Sequence, residues 1–251
     1  MCTRLFLNGC SGRMGRVICE IAASADDLSI VAGSDLQIEP AAFPIYADPR
    51  DCREEFDVVV DFSNPSALPR LFALIRERRC PAVICTTGLD AVLKEELQQL
   101  SAVAPIFQSA NMSLGINLLI SLVRQSASLL YPEFDIEIIE AHHNQKLDAP
   151  SGTALMIADQ INAELDHKMT FIHDRSQVRQ KRKRQEIGIH AIRGGSIVGE
   201  HTVLFAGQDE LVTLHHSAQS RNVFARGALA AARFMVGRPA GLYSMQDLIR
   251  S

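Results

Sequence analysis

Residues 140–153 contain the side chains of this chain that are best suited to proton chemistry, in the order EAHHNQKLDAPSGT. Before them, residues 134–138 alternate apolar and charged side chains, which is typical of a half-buried strand. After them, apolar residues recur at helical spacing and place a helix start close to Ser151. The stretch is therefore a strand-to-helix loop with two imidazoles and an ammonium beside a helix N-terminus. Free N–H groups at such a terminus attract an anion, for example a substrate carboxylate.

His142, His143 and Lys146 also have simpler interpretations. Each histidine can be the hydrogen-bonded partner of a buried carbonyl, and Lys146 can be a solvated surface residue. A shared metal ion is disfavoured, because adjacent side chains on a strand point to opposite faces and no further ligands stand at the usual spacing. We therefore expect no metal site here.

The amino-terminal stretch has the pattern of a strand, a glycine-rich loop and a helix. Residues 4–8 form the expected strand, and glycines follow at positions 9, 12 and 15. Such glycines let the backbone approach a pyrophosphate, which the helix N-terminus then stabilises. A second apolar strand, 28–34, ends at Asp35, where a carboxylate can accept hydrogen bonds from an adenosine ribose. The glycine spacing alone fits an ordinary structural turn as well.

Strands and helices continue to alternate as far as residue 111. Buried strands are expected at 57–62, 82–85 and 105–109, with helices after each of the first two. This order predicts a parallel, doubly wound sheet, whose ligands bind beyond the carboxyl ends of the strands. Polar loops occupy two of these ends: Cys85, Thr86 and Thr87, and Ser109, Ala110, Asn111 and Met112. Ordinary turn chemistry accounts for them equally well.

The pattern changes after a crossover near residues 111–115. A long apolar helix follows, and consecutive strands are then expected at 187–193, 196–205 and 211–218. Glycines at 194–195 and at 207 predict hairpin connections between these strands. With the strand near residue 135, they predict a mixed sheet covered by helices.

Composition argues against several classes of function. Of the 251 residues, 47% are hydrophobic and 22% are charged, and the mean hydropathy is +0.06, which is the balance of a globular protein. A net charge of −4 gives no general attraction to nucleic acid or to anionic membranes. The longest apolar run, around 114–123, is too short to span a bilayer. The basic run at 179–184 is expected to be a solvated surface loop.

The cysteines and the amino terminus favour a cytoplasmic protein. No amino-terminal segment has the order of a signal peptide. The 6 cysteines include no C-x-x-C pair, so reduced thiols are expected rather than disulfides. Cys10 and Cys85 lie in the candidate cofactor loops, and either thiol is a candidate for alkylation.

The order E-A-H-H-x-x-K-x-D-A-P-S-G-T at 140–153 resembles the signature of the dihydrodipicolinate reductase family. The segments GRMG at 12–15 and RGGSIVGEH at 193–201 resemble this family too. The resemblance implies an α/β fold, with a Rossmann-like doubly wound parallel sheet and a second α+β domain built on a mixed sheet. Residues 1–111 and 222–251 are then the dinucleotide-binding domain, and residues 112–221 are the substrate-binding and oligomerisation domain.

The same resemblance implies a reaction and a set of roles. The reaction is reduction of 4-hydroxy-tetrahydrodipicolinate to tetrahydrodipicolinate by NAD(P)H, in lysine and diaminopimelate synthesis. His142 is then the acid/base residue and Lys146 the proton donor, while His143, Gly152 and Thr153 hold the substrate carboxylates. A homotetramer built through the second domain's sheet is also implied. The expected cofactor contacts are Gly9, Cys10, Ser11, Gly12, Arg13, Met14, Asp35, Cys85, Thr86, Thr87, Ser109, Ala110, Asn111 and Met112.

Cofactor choice is where this sequence departs from the family pattern. Family members that use both nucleotides commonly place an arginine directly after the ribose-binding acid, whereas Leu36 follows Asp35 here. A 2′-phosphate beside Asp35 would meet like-charge repulsion, so NADH is expected to be preferred over NADPH. Arg13, Arg16 or the run at 179–184 remain alternative sources of positive charge.

Two other classes of function stay open at this point. Another Rossmann dehydrogenase, acting on a small amino or keto acid, would share the glycine loop but need not retain the histidines and lysine of 140–153. A nucleotide-sensing module without enzymatic activity would need no proton donors.

Overall fold

A computed structural model describes residues 2–251 of the chain. It divides into two compact units, the first comprising the chain through Leu114 together with Asn222–Ser251, and the second Gly115–Arg221. The division lies slightly later than the expected boundary after residue 111, at the start of a long helix.

The first unit is built on a parallel sheet of seven strands in the order β12-β6-β5-β4-β1-β2-β3. The sequence order reverses between β1 and β4, so the topological switch point of the sheet lies there. The strands are β1 (Thr3–Asn8), β2 (Leu28–Ser34), β3 (Ile45–Tyr46), β4 (Val58–Asp61), β5 (Ala82–Ile84), β6 (Pro105–Gln108) and β12 (Gly241–Tyr243).

Helices cover both faces of this sheet, which explains why its central strands are apolar without alternation. In β1, Leu5 and Leu7 pack into one core layer and Phe6 into the other, and all three side chains are fully buried. The doubly wound arrangement expected from the sequence is confirmed. The helices are α1 (Arg13–Ala23), α2 (Leu68–Arg78), α3 (Ala91–Ser101), α6 (Asn222–Met235) and α7 (Met245–Arg250).

The second unit is a mixed sheet of five strands in the order β11-β10-β7-β9-β8. Strand β7 is parallel to β9 and antiparallel to β10, so the expected mixed sheet is confirmed. The elements are α4 (Leu114–Leu130), β7 (Asp135–His142), α5 (Gly152–Glu164), β8 (Thr170–Ile172), β9 (Glu186–Arg193), β10 (Gly199–Ala206) and β11 (Leu211–Ala218).

One of the two predicted hairpins is wrong. Residues 207–210 do connect the antiparallel pair β10 and β11, but β7 lies between β9 and β10. The glycines at 194–195 therefore lead the chain across the end of β7. Gly194 N–H donates to the His142 carbonyl at 2.9 Å, which ties this connection to the strand it crosses. Glycine marks the turn, but it does not reveal which strand the chain will join afterwards.

The basic run at 179–184 is not simply a solvated loop. The guanidinium of Arg182 pairs with Asp135 at 2.7 Å and with Glu137 at 3.0 Å, and its side chain is only 17% exposed. The expectation is therefore wrong for Arg182, which fastens this segment to β7.

Within residues 2–251, every helix is too short or too polar to cross a lipid bilayer.

Candidate active site

Strand β7 places His142, one of the predicted functional residues, on the same face of the five-stranded sheet as Glu140. Side chains alternate between the faces of a strand, so Ile136, Ile138, Glu140 and His142 share a face. The two isoleucines are buried in the core formed with α4 and α5. Glu140 and His142 continue this row to the carboxyl end of the strand, and Glu140 is completely buried.

Glu140 is the centre of a buried hydrogen-bond network. The Arg193 guanidinium donates to both carboxylate oxygens, at 2.7 and 2.8 Å. Ser151 N–H donates to Oε1 at 3.0 Å, and His142 Nδ1 lies 2.6 Å from Oε2. Burial acts to raise the pKa of Glu140, but the hydrogen bonds from Arg193, His142 and Ser151 outweigh it and lower the pKa below its usual value. Glu140 is therefore ionised.

This ionised partner fixes the state of the His142 ring. A carboxylate only accepts hydrogen bonds, so His142 Nδ1 must carry the proton between them. The other ring nitrogen, Nε2, faces Gly199, where an added Cβ would lie 3.1 Å away. A larger residue at 199 would therefore push against the ring atom that is left for proton chemistry.

Lys146 lies in the loop after β7 and is held by a carboxylate. Its Nζ is 2.8 Å from Asp148 Oδ1, and its side chain is 21% exposed. The hydrogen bond from Lys146 lowers the pKa of Asp148, although burial opposes this. The ammonium, a group expected to meet a substrate anion, is thus paired with an ionised carboxylate. His143 is half-buried and its carbonyl accepts Lys146 N–H at 3.1 Å.

The start of α5 is capped by Ser151, whose Oγ accepts Ala154 N–H at 3.1 Å. The space beside Gly152 is open, with no heavy atom within 4 Å of an added Cβ. His201 Nε2 lies 3.1 Å from Ser151 Oγ. Burial lowers the pKa of His201 to about 3, so this imidazole is neutral.

The second unit therefore brings together His142, His143, Lys146, Gly152 and Thr153 around one strand end and one helix start. Sequence reasoning gave no role to three further members of the network, namely Glu140, Arg193 and His201. In the strand register, Arg193 on β9 lies opposite His142 on β7, and His201 on β10 lies opposite Glu140 on β7. The sequence contained one indication of them, because Glu140 lies in the segment 140–153, and Arg193 and His201 lie in the segment 193–201, both of which resemble the reductase family.

In the first unit, the glycine loop follows β1 at the carboxyl edge of the parallel sheet. Gly9 has φ +81°, and an added Cβ would lie 2.4 Å from the Phe62 carbonyl oxygen. An added Cβ on Gly15 would lie 2.2 Å from the Gly9 carbonyl oxygen. Helix α1 begins after Gly12 and no side chain caps it, which leaves its start suitable for a pyrophosphate. Arg13 is exposed at this start.

Asp35 lines a cavity of about 480 Å³ next to this loop. Its carboxylate accepts Ser11 N–H at 3.0 Å and Gln37 N–H at 3.1 Å. Leu36 is 80% exposed at the cavity rim. Of the arginines considered from the sequence, Arg16 is paired with Glu39 at 2.9 Å. Arg70 also lines the cavity, and sequence reasoning missed it.

The two remaining candidate loops follow β5 and β6 and so lie at the same edge of the sheet. Thr86 is buried and Thr87 is exposed. In the second loop, Ser109 Oγ donates to the Asn111 carbonyl at 2.8 Å, Ala110 is exposed and Met112 is buried. The candidate cofactor residues of the four loops thus share one edge.

Burial argues against alkylation of the two cysteines in these loops. It raises the pKa of Cys10 to about 11 and that of Cys85 well above its usual value. Because the thiolate is the reactive form, neither side chain is poised for reaction. The alkylation expected from the sequence is therefore not supported.

Comparisons with known proteins agree with this geometry. Residues 3–112 match the family model "Dihydrodipicolinate reductase, N-terminus", and residues 115–249 match "Dihydrodipicolinate reductase, C-terminus". The chain belongs to the dihydrodipicolinate reductase family. As a member of that family, it is an oxidoreductase that uses a pyridine nucleotide.

Individual members of the dihydrodipicolinate reductase family match over the full length. The 4-hydroxy-tetrahydrodipicolinate reductase of Caldanaerobacter subterraneus subsp. tengcongensis is 51% identical, with 100% of this chain and 99% of the relative covered. The Clostridium novyi enzyme of the same name is 46% identical, with 99% of each chain covered. The dipicolinate-bound dihydrodipicolinate reductase of Paenisporosarcina sp. TG-14 has a TM-score of 0.83 at 25% identity, covering 97% of this chain and 98% of that one.

Proposed function

We propose that this protein reduces 4-hydroxy-tetrahydrodipicolinate to tetrahydrodipicolinate with NADH or NADPH, as a step of lysine and diaminopimelate synthesis. The observation that carries the proposal is the grouping of His142 and the α5 start around the buried Glu140, with Lys146 in the loop between them, in a chain related along its whole length to reductases of this name. When bound, the reduced nicotinamide supplies a hydride.

Hydride addition to a conjugated C=C–C=N unit builds negative charge on the substrate, so a proton must arrive from the protein. Lys146 is the donor in this proposal, because it carries an ammonium in the loop that leads from β7 into α5, where it is paired with Asp148. His142 acts as the acid/base residue through Nε2, with Nδ1 committed to Glu140. His143, Gly152 and Thr153 hold the substrate carboxylates, aided by the dipole of α5.

The cofactor site proposed here uses the edge of the parallel sheet. Residues 9–14 cradle the pyrophosphate at the start of α1, and Asp35 accepts hydrogen bonds from the adenosine ribose. The loops at 85–87 and 109–112 lie on the nicotinamide side, beyond the carboxyl ends of β5 and β6. Cys10 and Cys85 contribute through their backbone, since both thiols are buried.

We infer that NADH is the preferred nucleotide and that NADPH is used less efficiently. Asp35 repels a 2′-phosphate, and the adjacent Leu36 provides no compensating charge. The Arg16 guanidinium is occupied by Glu39. Arg70 lines the same cavity, so it is the residue that permits residual use of NADPH.

The proposed assembly is a homotetramer formed through the five-stranded sheet of the second unit. On the face opposite Glu140, this sheet exposes large apolar side chains, with Ile192 51% and Leu211 60% exposed. Its edge strands are β8 and β11. Unpaired strand edges and exposed apolar side chains are features that association between copies would cover. Light scattering after size-exclusion chromatography measures the mass directly.

Oxidation of NADH and NADPH with freshly prepared pathway substrate tests the function, with the same mixture lacking substrate as the control. Lys146→Ala should lower kcat by on the order of a hundredfold, the usual worth of general acid catalysis, without changing the NADH dissociation constant. Lys168→Ala is the matched control, because Lys168 pairs with Asp166 at the same distance of 2.8 Å. Near-normal kcat in folded Lys146→Ala protein would remove the assignment.

A further inference from the structure

Asp61 is a buried carboxylate that the proposed reaction does not use. It lies at the carboxyl end of β4 and is fully buried. Asn8 Nδ2 and Ser63 Oγ donate to its Oδ1 at 2.7 and 2.6 Å. Thr86 Oγ1 donates to its Oδ2 at 2.7 Å. Burial raises the pKa of Asp61, while these hydrogen bonds oppose the rise.

Every proton of the surrounding groups is committed by this arrangement. The two N–H bonds of the Asn8 amide are used by Asp61 and by Ser63 Oγ, which lies 3.0 Å away. The Asn8 carbonyl oxygen in turn accepts from Ser34 Oγ at 2.6 Å. In its ionised form, the Asp61 carboxylate can only accept, so it then determines which way the Asn8 amide points.

The directions of the hydroxyl protons of Ser63 and Thr86 can be assigned in the same way. Ser63 Oγ is 2.6 Å from the carboxylate but 3.5 Å from its alternative acceptor, the Asn64 carbonyl, so its single proton goes to Asp61. Thr86 Oγ1 also donates its proton to Asp61. The contact of 3.4 Å between the Ser63 and Thr86 oxygens therefore has no proton to share.

The cluster lies where a nucleotide is expected to cross the sheet. Asn8 and Asp61 end β1 and β4, the pair at the topological switch point. Asn8, Ser34 and Ser63 also line the cavity that contains Asp35. With their protons turned inward, Ser34 and Ser63 offer only oxygen lone pairs to a ligand in this cavity.

We propose that Asp61 is a positioning residue that makes the floor of the nucleotide cavity a surface of hydrogen-bond acceptors. The inference rests on the proposed binding of a dinucleotide. Such a floor accepts hydrogen bonds from ribose hydroxyl groups and amide N–H groups. It offers nothing to phosphate oxygens, which are directed instead to the glycine loop and the start of α1.

Asp61→Asn keeps the shape of the side chain but replaces one acceptor oxygen with an NH₂ donor. At least one inward-pointing donor must then turn round, and a proton is released toward the cavity or left unpaired. Because an unsatisfied or mismatched polar group commonly changes an equilibrium by about tenfold, we expect the NADH dissociation constant to rise by about tenfold.

The exchange of both residues provides a stringent rescue. In Asn8→Asp/Asp61→Asn, the new carboxylate at position 8 accepts from Ser34, from Ser63 and from the new amide at position 61. That amide keeps an oxygen for Thr86. All three hydroxyl protons point inward again, so the double variant should bind NADH within about threefold of the unmodified protein. A role limited to packing does not predict this recovery.

NADH binding by the full chain is measured by fluorescence without substrate, together with thermal unfolding. Asp57→Asn is the matched control, because Asp57 precedes the other end of β4 and pairs with Arg4 there. We expect its NADH affinity to be unchanged. Unchanged NADH affinity in Asp61→Asn, or a folded double variant as weak as Asp61→Asn, would overturn the inference.

Ser63→Ala covers the case in which Asp61→Asn does not fold, since it removes one floor acceptor from a half-buried position. Its NADH dissociation constant should rise several-fold, and an unchanged value would also overturn the inference. Turnover of the pathway substrate by the unmodified protein is recorded in parallel. NADH binding without turnover would refute the proposed reaction and leave this inference standing.

Discussion

Replacing Glu140 with glutamine removes one charge from a buried ion cluster while preserving the shape of the side chain. Glu140 is fully buried and accepts two hydrogen bonds from Arg193, one from His142 and one from Ser151 N–H. Glutamine has only one acceptor oxygen, and its NH₂ group would face a donor. The Arg193 guanidinium, 19% exposed, would also lose its counter-charge.

Loss of one partner from a buried ion pair costs about 3–5 kcal/mol of unfolding free energy. For a chain of this size, that corresponds to a fall in Tm of roughly 6–20 °C. His142 loses the acceptor that holds its Nδ1 proton, so kcat should fall by on the order of tenfold to a hundredfold, as when the orienting partner of a functional histidine is removed.

Glu164→Gln is the matched control, because Glu164 lies at the far end of α5 from Gly152. It pairs with Arg124 at 2.9 Å, and its side chain is 29% exposed. Its loss should cost about 0–1 kcal/mol and leave kcat unchanged. Thermal unfolding and steady-state kinetics of both variants decide the matter. Equal Tm values for the two variants, or an unchanged kcat in Glu140→Gln, would refute the reasoning.

Three further outcomes are expected. Burial lowers the pKa of His201 in the folded protein to about 3, whereas in the unfolded chain it is near 6.5. Below pH 6.5 the unfolded chain therefore takes up a proton that the folded chain does not. The free energy of unfolding should fall by roughly 1.4 kcal/mol between pH 7.5 and 5.5. His201→Gln should lack this component, and an identical pH dependence of unfolding in the two proteins would contradict this expectation. Pyridine-2,6-dicarboxylate should inhibit competitively against substrate, whereas pyridine should not. Equal inhibition by the two compounds would argue against an anion-binding site at the start of α5. Leu36→Arg should raise the kcat/KM ratio of NADPH to NADH by about tenfold, whereas Val92→Arg, at a position 72% exposed, should not; an unchanged ratio in Leu36→Arg would show that residue 36 does not contact the 2′-phosphate.

The features that the sequence predicted well are those with a local cause. Buried strands such as β4 are apolar because both faces of the sheet are covered, and the run at 58–60 is visible as three successive valines. The start of α5 was visible because Ser151 is a good capping residue before an apolar helical pattern. Short strands such as β3 and β8, with two and three residues, are too short to show a periodicity and were missed.

The partners of the functional residues depend on strand order, which local pattern does not contain. Arg193 reaches Glu140 because β9 lies beside β7, whereas the predicted hairpin would have placed β9 beside β10. The same error concealed His201, which lies opposite Glu140 only because β10 occupies the other side of β7. Likewise, Asn8 and Asp61 meet because β1 and β4 are neighbours, 53 residues apart in the chain.

Two buried carboxylates in this protein are satisfied by different means, and the difference suits their positions. Glu140 is paired with the fixed charge of Arg193, which lowers the pKa of Glu140 and keeps it an acceptor beside His142, the residue proposed to take part in proton transfer. Asp61 has only neutral donors, and burial raises its pKa. A cation in place of those donors would add positive charge under the nucleotide cavity and attract phosphate to its floor. Neutral donors instead fix the direction of each hydroxyl group and add no positive charge beneath the cavity floor, which is consistent with the proposal that the pyrophosphate binds at the start of α1.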